Sequence, residues 1–143
     1  MIYLQLQKNS YDMAVYEKGY ETKRRLIMSM YNKLKVQDAS EITVREIAKE
    51  NQCSPAALYR HFESLEYLII LGSMRFFIDY MVEYGHLMDS NNNLMDSYIK
   101  GWKLFNKYAF ERPDLYYRLL WGQYNAMFSD ALVEYFELFP VSG

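Results

Sequence analysis

Apolar side chains recur along the chain at spacings of three and four, the period of a helix face and not of a strand. Leu26, Ile27, Met30 and Leu34 form one such stripe and predict a first helix over residues 21–36. Thr43-Val44-Arg45-Glu46 announces a second. The Thr hydroxyl takes the amide three residues on, the Glu carboxylate reaches back, and Ile47 and Ala48 face inward. Asn51-Gln52 interrupts the pattern, and Ser54-Pro55 restarts it, with Ser as N-cap and Pro at the first helical position. Leu58 and Phe62, four apart, form the buried side of this third helix, and Ser64 caps a longer fourth.

The fourth helix carries the most regular seam: Tyr67, Ile70, Met74, Phe77, Met81, Tyr84 and Met88, alternating steps of three and four. Residues 89–93 end it. Met95, Tyr98, Trp102, Phe105 and Ala109 repeat the spacing in a fifth helix, stopped by Pro113. Tyr116, Leu120, Tyr124 and Met127 predict a sixth, and Leu132, Val133 and Phe136 a seventh. Leu and Met outnumber the β-branched residues, so propensity agrees with periodicity. The fold class is all-α.

Composition narrows the classes. The chain has 143 residues, 51% of them hydrophobic and 24% charged, enough to bury a core. The longest stretch without a charge, residues 119–129, is far below the roughly 20 residues a bilayer span needs, and the first residues have no secretory pattern. Cys53 is alone, so no internal disulfide forms and a cytoplasmic location is expected. Net charge is −2, divided unevenly: ten Lys/Arg against nine Asp/Glu (+1) in residues 1–70, and six against nine (−3) in residues 71–143. An anion-binding surface is therefore expected in the first half.

The first seventy residues place two short helices across a tight turn, between a first helix and a long fourth. This is the order of a helix-turn-helix, whose second helix meets base edges in the major groove. The residues Thr43-Val44-Arg45-Glu46-Ile47-Ala48, Cys53-Ser54, Leu58-Tyr59-Arg60-His61-Phe62, Ser64 and Glu66 resemble the DNA-binding domain of the tetracycline-repressor (TetR) family over residues 22–70. Residues 112–120, Arg-Pro-Asp-Leu-Tyr-Tyr-Arg-Leu-Leu, are similar to a segment of that family's regulatory domain in which Pro breaks one helix and starts the next.

The resemblance implies an extension over residues 1–19, a DNA-binding domain over 20–66 and a helical effector-binding and dimerisation domain over 67–143. It implies that Thr43 bonds a phosphate and that Arg45 reaches a phosphate or a guanine edge. Pro55, Ala56 and Ala57 would lie nearest the bases, and Tyr59 and His61 would bond phosphates; Ser54 and Arg60 complete the candidate set. Cys53, Leu58 and Phe62 take core positions. Three departures stand out: Gln52 where the turn usually has Gly, Leu65 where a phosphate-binding Lys is usual, and Asp38-Ala39 in place of Gly-Tyr. The small apolar start of the third helix can touch thymine methyls but makes no bidentate bond, so an A·T-leaning site is expected.

The same resemblance places an effector pocket among the later helices. Met adapts its shape, and aromatic rings offer flat faces to apolar or cationic ligands. Met74, Phe77, Met81, Tyr84, Trp102, Phe105, Tyr117 and Trp121 are its candidates, although the same stripes also suit an ordinary core. His86 and Asp89 lie one turn apart without a third ligand, so no metal is expected, nor any other cofactor. With no Gly-rich phosphate loop and no nucleophile elbow, an enzyme is not expected either. The expected function is a ligand-responsive transcriptional repressor that binds a palindromic DNA operator as a homodimer and answers to a small apolar or aromatic effector, with no membrane partner. The alternative is a helical interaction module that keeps the fold without sequence-specific DNA binding. The helices that dimerise the family are either missing after the seventh helix or replaced by another interface.

Overall fold

The computed structural model describes residues 2–90, 93–121 and 124–140. Among these there are seven α-helices and no strand: α1 (Ile2–Leu34), α2 (Val44–Glu50), α3 (Pro55–Tyr59), α4 (Leu65–Asp89), α5 (Leu94–Glu111), α6 (Pro113–Leu120) and α7 (Phe128–Leu138). Short 3-10 turns stand at Ala39–Glu41 and Asn125–Met127.

Three boundaries differ from the sequence reading. Helix α3 ends at Tyr59, so Phe62 packs from the segment beyond it and not from the helix. Helix α1 begins at Ile2, well before residue 21. Periodicity finds a helix only where a face is buried, and Ile2, Leu4, Met13 and Tyr16 stand exposed on the early turns. The predicted sixth helix is broken in two: α6 ends at Leu120, and Tyr124 and Met127 belong to a separate 3-10 turn and its cap. The loop after α4 lies where expected, and its residues 91–92 fall outside the described ones.

Helix α4 is the axis of the molecule. It packs against α1, α5, α6 and α7, and its first half, from Tyr67 to Met74, is buried without interruption. A helix buried all round must be apolar all round, which Leu68-Ile69-Ile70-Leu71 satisfies. Ser73 is the polar exception, and its hydroxyl donates to the Ile69 carbonyl at 2.7 Å. One core joins this segment to Leu26, Ile27, Met30 and Leu34 of α1, Ile47 of α2, Leu58 of α3, Leu115 and Leu119 of α6, and Ala131, Tyr135 and Leu138 of α7. The far half of α4 and most of α5 lie beyond it. There Met81, Val82, Met88, Leu94, Met95 and Ile99 are exposed. Among the described residues no helix is long and apolar enough to cross a membrane, and no group of three His, Cys, Asp or Glu could hold a metal ion.

Candidate nucleic-acid interface and aromatic cavity

The turn between α2 and α3 is built from local capping. The Thr43 hydroxyl accepts from the Glu46 amide at 3.3 Å and opens α2. At the other end the Cys53 amide donates to the Ala48 carbonyl at 2.9 Å. The Asn51 side-chain amide donates to the Ile47 carbonyl at 2.7 Å and to Ser29 Oγ at 3.0 Å, pinning the turn to α1. Gln52 takes φ of 55°, the left-handed region that Gly occupies without a Cβ penalty. The Ser54 hydroxyl then accepts from the Ala57 amide at 3.1 Å, and Pro55 opens α3.

Leu58 and Phe62 are buried and clamp α3 and the segment after it to the core. What they leave outside is the set singled out from sequence. Thr43, Arg45, Ser54, Ala56, Tyr59 and Arg60 are exposed, and Pro55, Ala57 and His61 are half-exposed. Because the Thr43 and Ser54 oxygens accept from backbone amides, each hydroxyl hydrogen remains available to an outside acceptor. Leu65 is half-buried and packs on the core, so its position does not serve the surface.

Electrostatics give this surface a sign. Burial lowers the pKa of His61, and the positive charges of Lys23, Arg25 and Arg60 lower it further. Lys23 also sits over the Phe62 ring, 5.8 Å from its centroid. Lys23 is itself paired with Glu134 at 2.8 Å, which offsets part of that positive charge, and the whole chain is acidic. Lys23 and Arg25 lie outside the set that the sequence motif singles out. The run Lys23-Arg24-Arg25 is the signal that points to them.

A second site lies among α4, α5 and the end of α6. A cavity of about 400 Å³ is lined by Tyr80, Tyr84, Ser97, Tyr98, Gly101, Trp102, Phe105, Leu120 and Trp121. Four sequence candidates line it: Tyr84, Trp102, Phe105 and Trp121. Four do not. Met74 is fully buried in the core, Phe77 packs edge-on to Phe128 at 5.5 Å, and Met81 and Tyr117 are exposed outside the lining. Heptad spacing identifies the inward stripe but not which part of it borders open space. Tyr80 and Tyr98 escape the sequence reading. Tyr80 lies off the α4 seam, and Tyr98 sits on the α5 stripe, where spacing alone gives it the look of core packing.

Polar links connect α6 to the α1–α2 region. Arg112 donates to the Leu34 carbonyl, to the Gln37 carbonyl at 3.3 Å and to both carboxylate oxygens of Asp114. The Ala39 amide in turn donates to Asp114 Oδ2 at 3.3 Å. Burial works against the Asp114 charge, but Arg112 and the Ala39 amide outweigh it and hold the carboxyl below its usual pKa. Arg118 pairs with Glu66. Helix α6 therefore touches the region before α2 at one end and the aromatic cavity at the other.

The chain matches no protein family, no curated protein and no solved structure.

Proposed function

We propose that this protein is a ligand-responsive, DNA-binding transcriptional regulator, a repressor that holds a palindromic operator as a dimer through α3. The observation that carries the reading is the surface around the start of α3. Thr43, Arg45, Ser54, Ala56, Tyr59 and Arg60 are all exposed on or beside α2 and α3, and the charges of Lys23, Arg25 and Arg60 lower the pKa of His61. Helix-start amides and hydroxyls suit phosphates, and small residues permit close approach to the groove floor. The domain order is that of the tetracycline-repressor resemblance, with α2 and α3 as the helix-turn-helix.

Ligand response is supported by the position of α6. A ligand filling the cavity against Leu120 and Trp121 bears on the helix whose Arg112 and Asp114 hold Leu34, Gln37 and Ala39. It changes DNA affinity only by its difference in affinity for two arrangements of those elements.

The test is fluorescence anisotropy of a labelled duplex titrated with protein at two salt concentrations. Binding should weaken with salt, and Arg45→Ala should lower the salt slope by about one contact. Tyr59→Phe should weaken binding as well. Absence of salt-dependent binding at low ionic strength would refute the reading.

A second reading, a helical interaction module, draws on the exposed apolar side chains of α4 and α5. Leu94 is 89% exposed and Phe110 81%. Where such side chains join into one patch they mark an association site. Self-association in sedimentation without any DNA binding would favour it.

A further inference from the structure

The lining of the aromatic cavity has a distinct chemical character. Six of its nine lining residues are aromatic: Tyr80, Tyr84, Tyr98, Trp102, Phe105 and Trp121. The rings meet mostly edge to face. Tyr98 and Trp102 lie 6.4 Å apart at 79°, Trp102 and Phe105 5.9 Å apart at 87°, and Phe105 and Trp121 6.4 Å apart at 70°. Each such contact sets the positive edge of one ring against the negative face of the next, and any face left uncovered offers a cation its negative quadrupole.

Two further features act in the same direction. No lining residue carries a charge, so no charge in the wall repels a cation or forms an ion pair with an anion. Lys103 and Lys107 of α5 line a separate groove with Glu83 and Leu87. Helix α6 ends at the cavity, where Leu120 and Trp121 belong to its last turn and cap. The carbonyl end of a helix carries partial negative charge, and Arg118, the cation in that last turn, is paired with Glu66. The positive start of α5 also approaches through Ser97, but Asn93 caps that turn and Asp96 lies within it.

We propose that this cavity selects an organic cation, a quaternary ammonium bearing an aromatic or apolar group, held by cation–π contact with Trp102, Trp121 and the flanking tyrosines. The size fits, since pockets for small organic molecules begin at about 300 Å³. The proposal rests on the reading of the cavity as the effector site and gives that effector its charge.

The test uses a property of the sequence: the chain has two tryptophans, and both line the cavity. Selectively excited tryptophan emission of the full chain therefore reports on this site alone. The probes are phenyltrimethylammonium, its neutral isostere tert-butylbenzene, and benzenesulfonate. The cation should perturb the emission saturably and bind roughly tenfold tighter than the isostere, with benzenesulfonate weakest. Trp102→Leu keeps an apolar wall and leaves Trp121 as reporter. It should remove most of the cation preference and leave tert-butylbenzene binding within about twofold. Trp102 is 53% exposed, so the variant leaves the core intact, and Tyr98→Leu provides an independent second. Equal binding of cation and isostere, or tighter binding of the sulfonate, overturns the selectivity and leaves an effector cavity. No saturable response to any probe overturns the effector reading as well.

Discussion

Gly72 of α4 lies directly against Met30 of α1: a Cβ at Gly72 would stand 2.6 Å from Met30 Cγ and 3.2 Å from the Tyr31 backbone nitrogen. Met30 is fully buried, so its side chain can yield only by displacing other core residues. This close approach sets the distance between α1 and α4, the most extensively packed pair of helices. Helix α1 also carries Lys23 and Arg25, whose charges lower the pKa of His61, so packing at Gly72 bears on the helix that holds them.

Gly72→Ala should therefore destabilise the fold by about 1–3 kcal/mol, the usual range for forcing a methyl into a filled core. Gly85, farther along the same helix, has open space around it, with no atom within 4 Å of where a Cβ would stand. Gly85→Ala should stabilise by about 0.5–1 kcal/mol through helix propensity and the less flexible unfolded chain. Urea denaturation of the two variants beside the native chain checks both. Equal effects would contradict the helix contact as the cause.

Gln52 holds φ of 55° without being Gly. Gln52→Gly should relieve strain and stabilise by about 0.5–1 kcal/mol, part of the relief being offset by the entropy of an unfolded Gly. Gln52→Val should do the opposite, because a β-branched residue tolerates the left-handed region worst. Thermal melts order the three chains, and any other ranking would mean that the turn has a different backbone.

Much of this turn is legible in the sequence because its signals are local. Thr43, Ser54 and Ser64 each cap the helix that follows, and a cap is a fact about four consecutive residues. The strain at Gln52 is also readable, as a residue standing where Gly is usual. The capping pattern has Glu46 reaching back to its cap, yet its Oε2 is buried without a hydrogen-bond partner. The start of α1 is hidden from periodicity, and Ile2, Leu4, Met13 and Tyr16 on its early turns stand exposed. The cavity is half legible: Trp102 and Phe105 follow from spacing, but whether a stripe fills a core or borders a void depends on how far two helices diverge. The Lys23–Glu134 pair at 2.8 Å and the Arg24 bond to the Leu138 carbonyl at 2.6 Å join α1 to α7 across most of the chain, and no local pattern predicts such partners.

The tyrosines predict an alkaline limit. Burial raises the pKa of Tyr116, Tyr80 and Tyr67, with Glu134 adding to the rise at Tyr67. The hydrogen bond to Glu83 pushes Tyr108 up to about 12, and the Tyr16 hydroxyl pushes Tyr20 up to about 12. Each folded pKa lies above the unfolded value near 10. The folded state then keeps protons that the unfolded state loses, so the stabilisation is complete below about pH 10 and disappears as pH rises through the folded values. Phenolate absorbance should show a delayed group of tyrosines that ionises together with unfolding. Tyr116→Phe removes a buried hydroxyl that has no partner and should both stabilise by about 1 kcal/mol at neutral pH and soften the alkaline fall. A titration in which all tyrosines ionise near their ordinary value would exclude this burial.

DNA binding should depend on pH through His61, with a sign set by its neighbours. Burial and the charges of Lys23, Arg25 and Arg60 hold its pKa below the ordinary value, so the free folded protein carries it neutral near pH 7. A phosphate placed against it reverses the balance: the anion compensates the cations and favours the imidazolium, and binding takes up a proton. By linkage, affinity should rise as pH falls through about 7 to 6, by at most tenfold per unit. Stability moves the opposite way over the same range, because an unfolded His accepts the proton first, so the titrations belong where the fold is still complete. His61→Gln should flatten the profile without abolishing binding, since Arg45 and Tyr59 remain. Arg25→Ala should raise the free His61 pKa and shrink the proton uptake. Imidazole NMR registers the first, and calorimetry of binding in buffers of different ionisation heat registers the second. Affinity that is constant with pH, or that falls on acidification in the native chain, would separate His61 from the phosphate contacts.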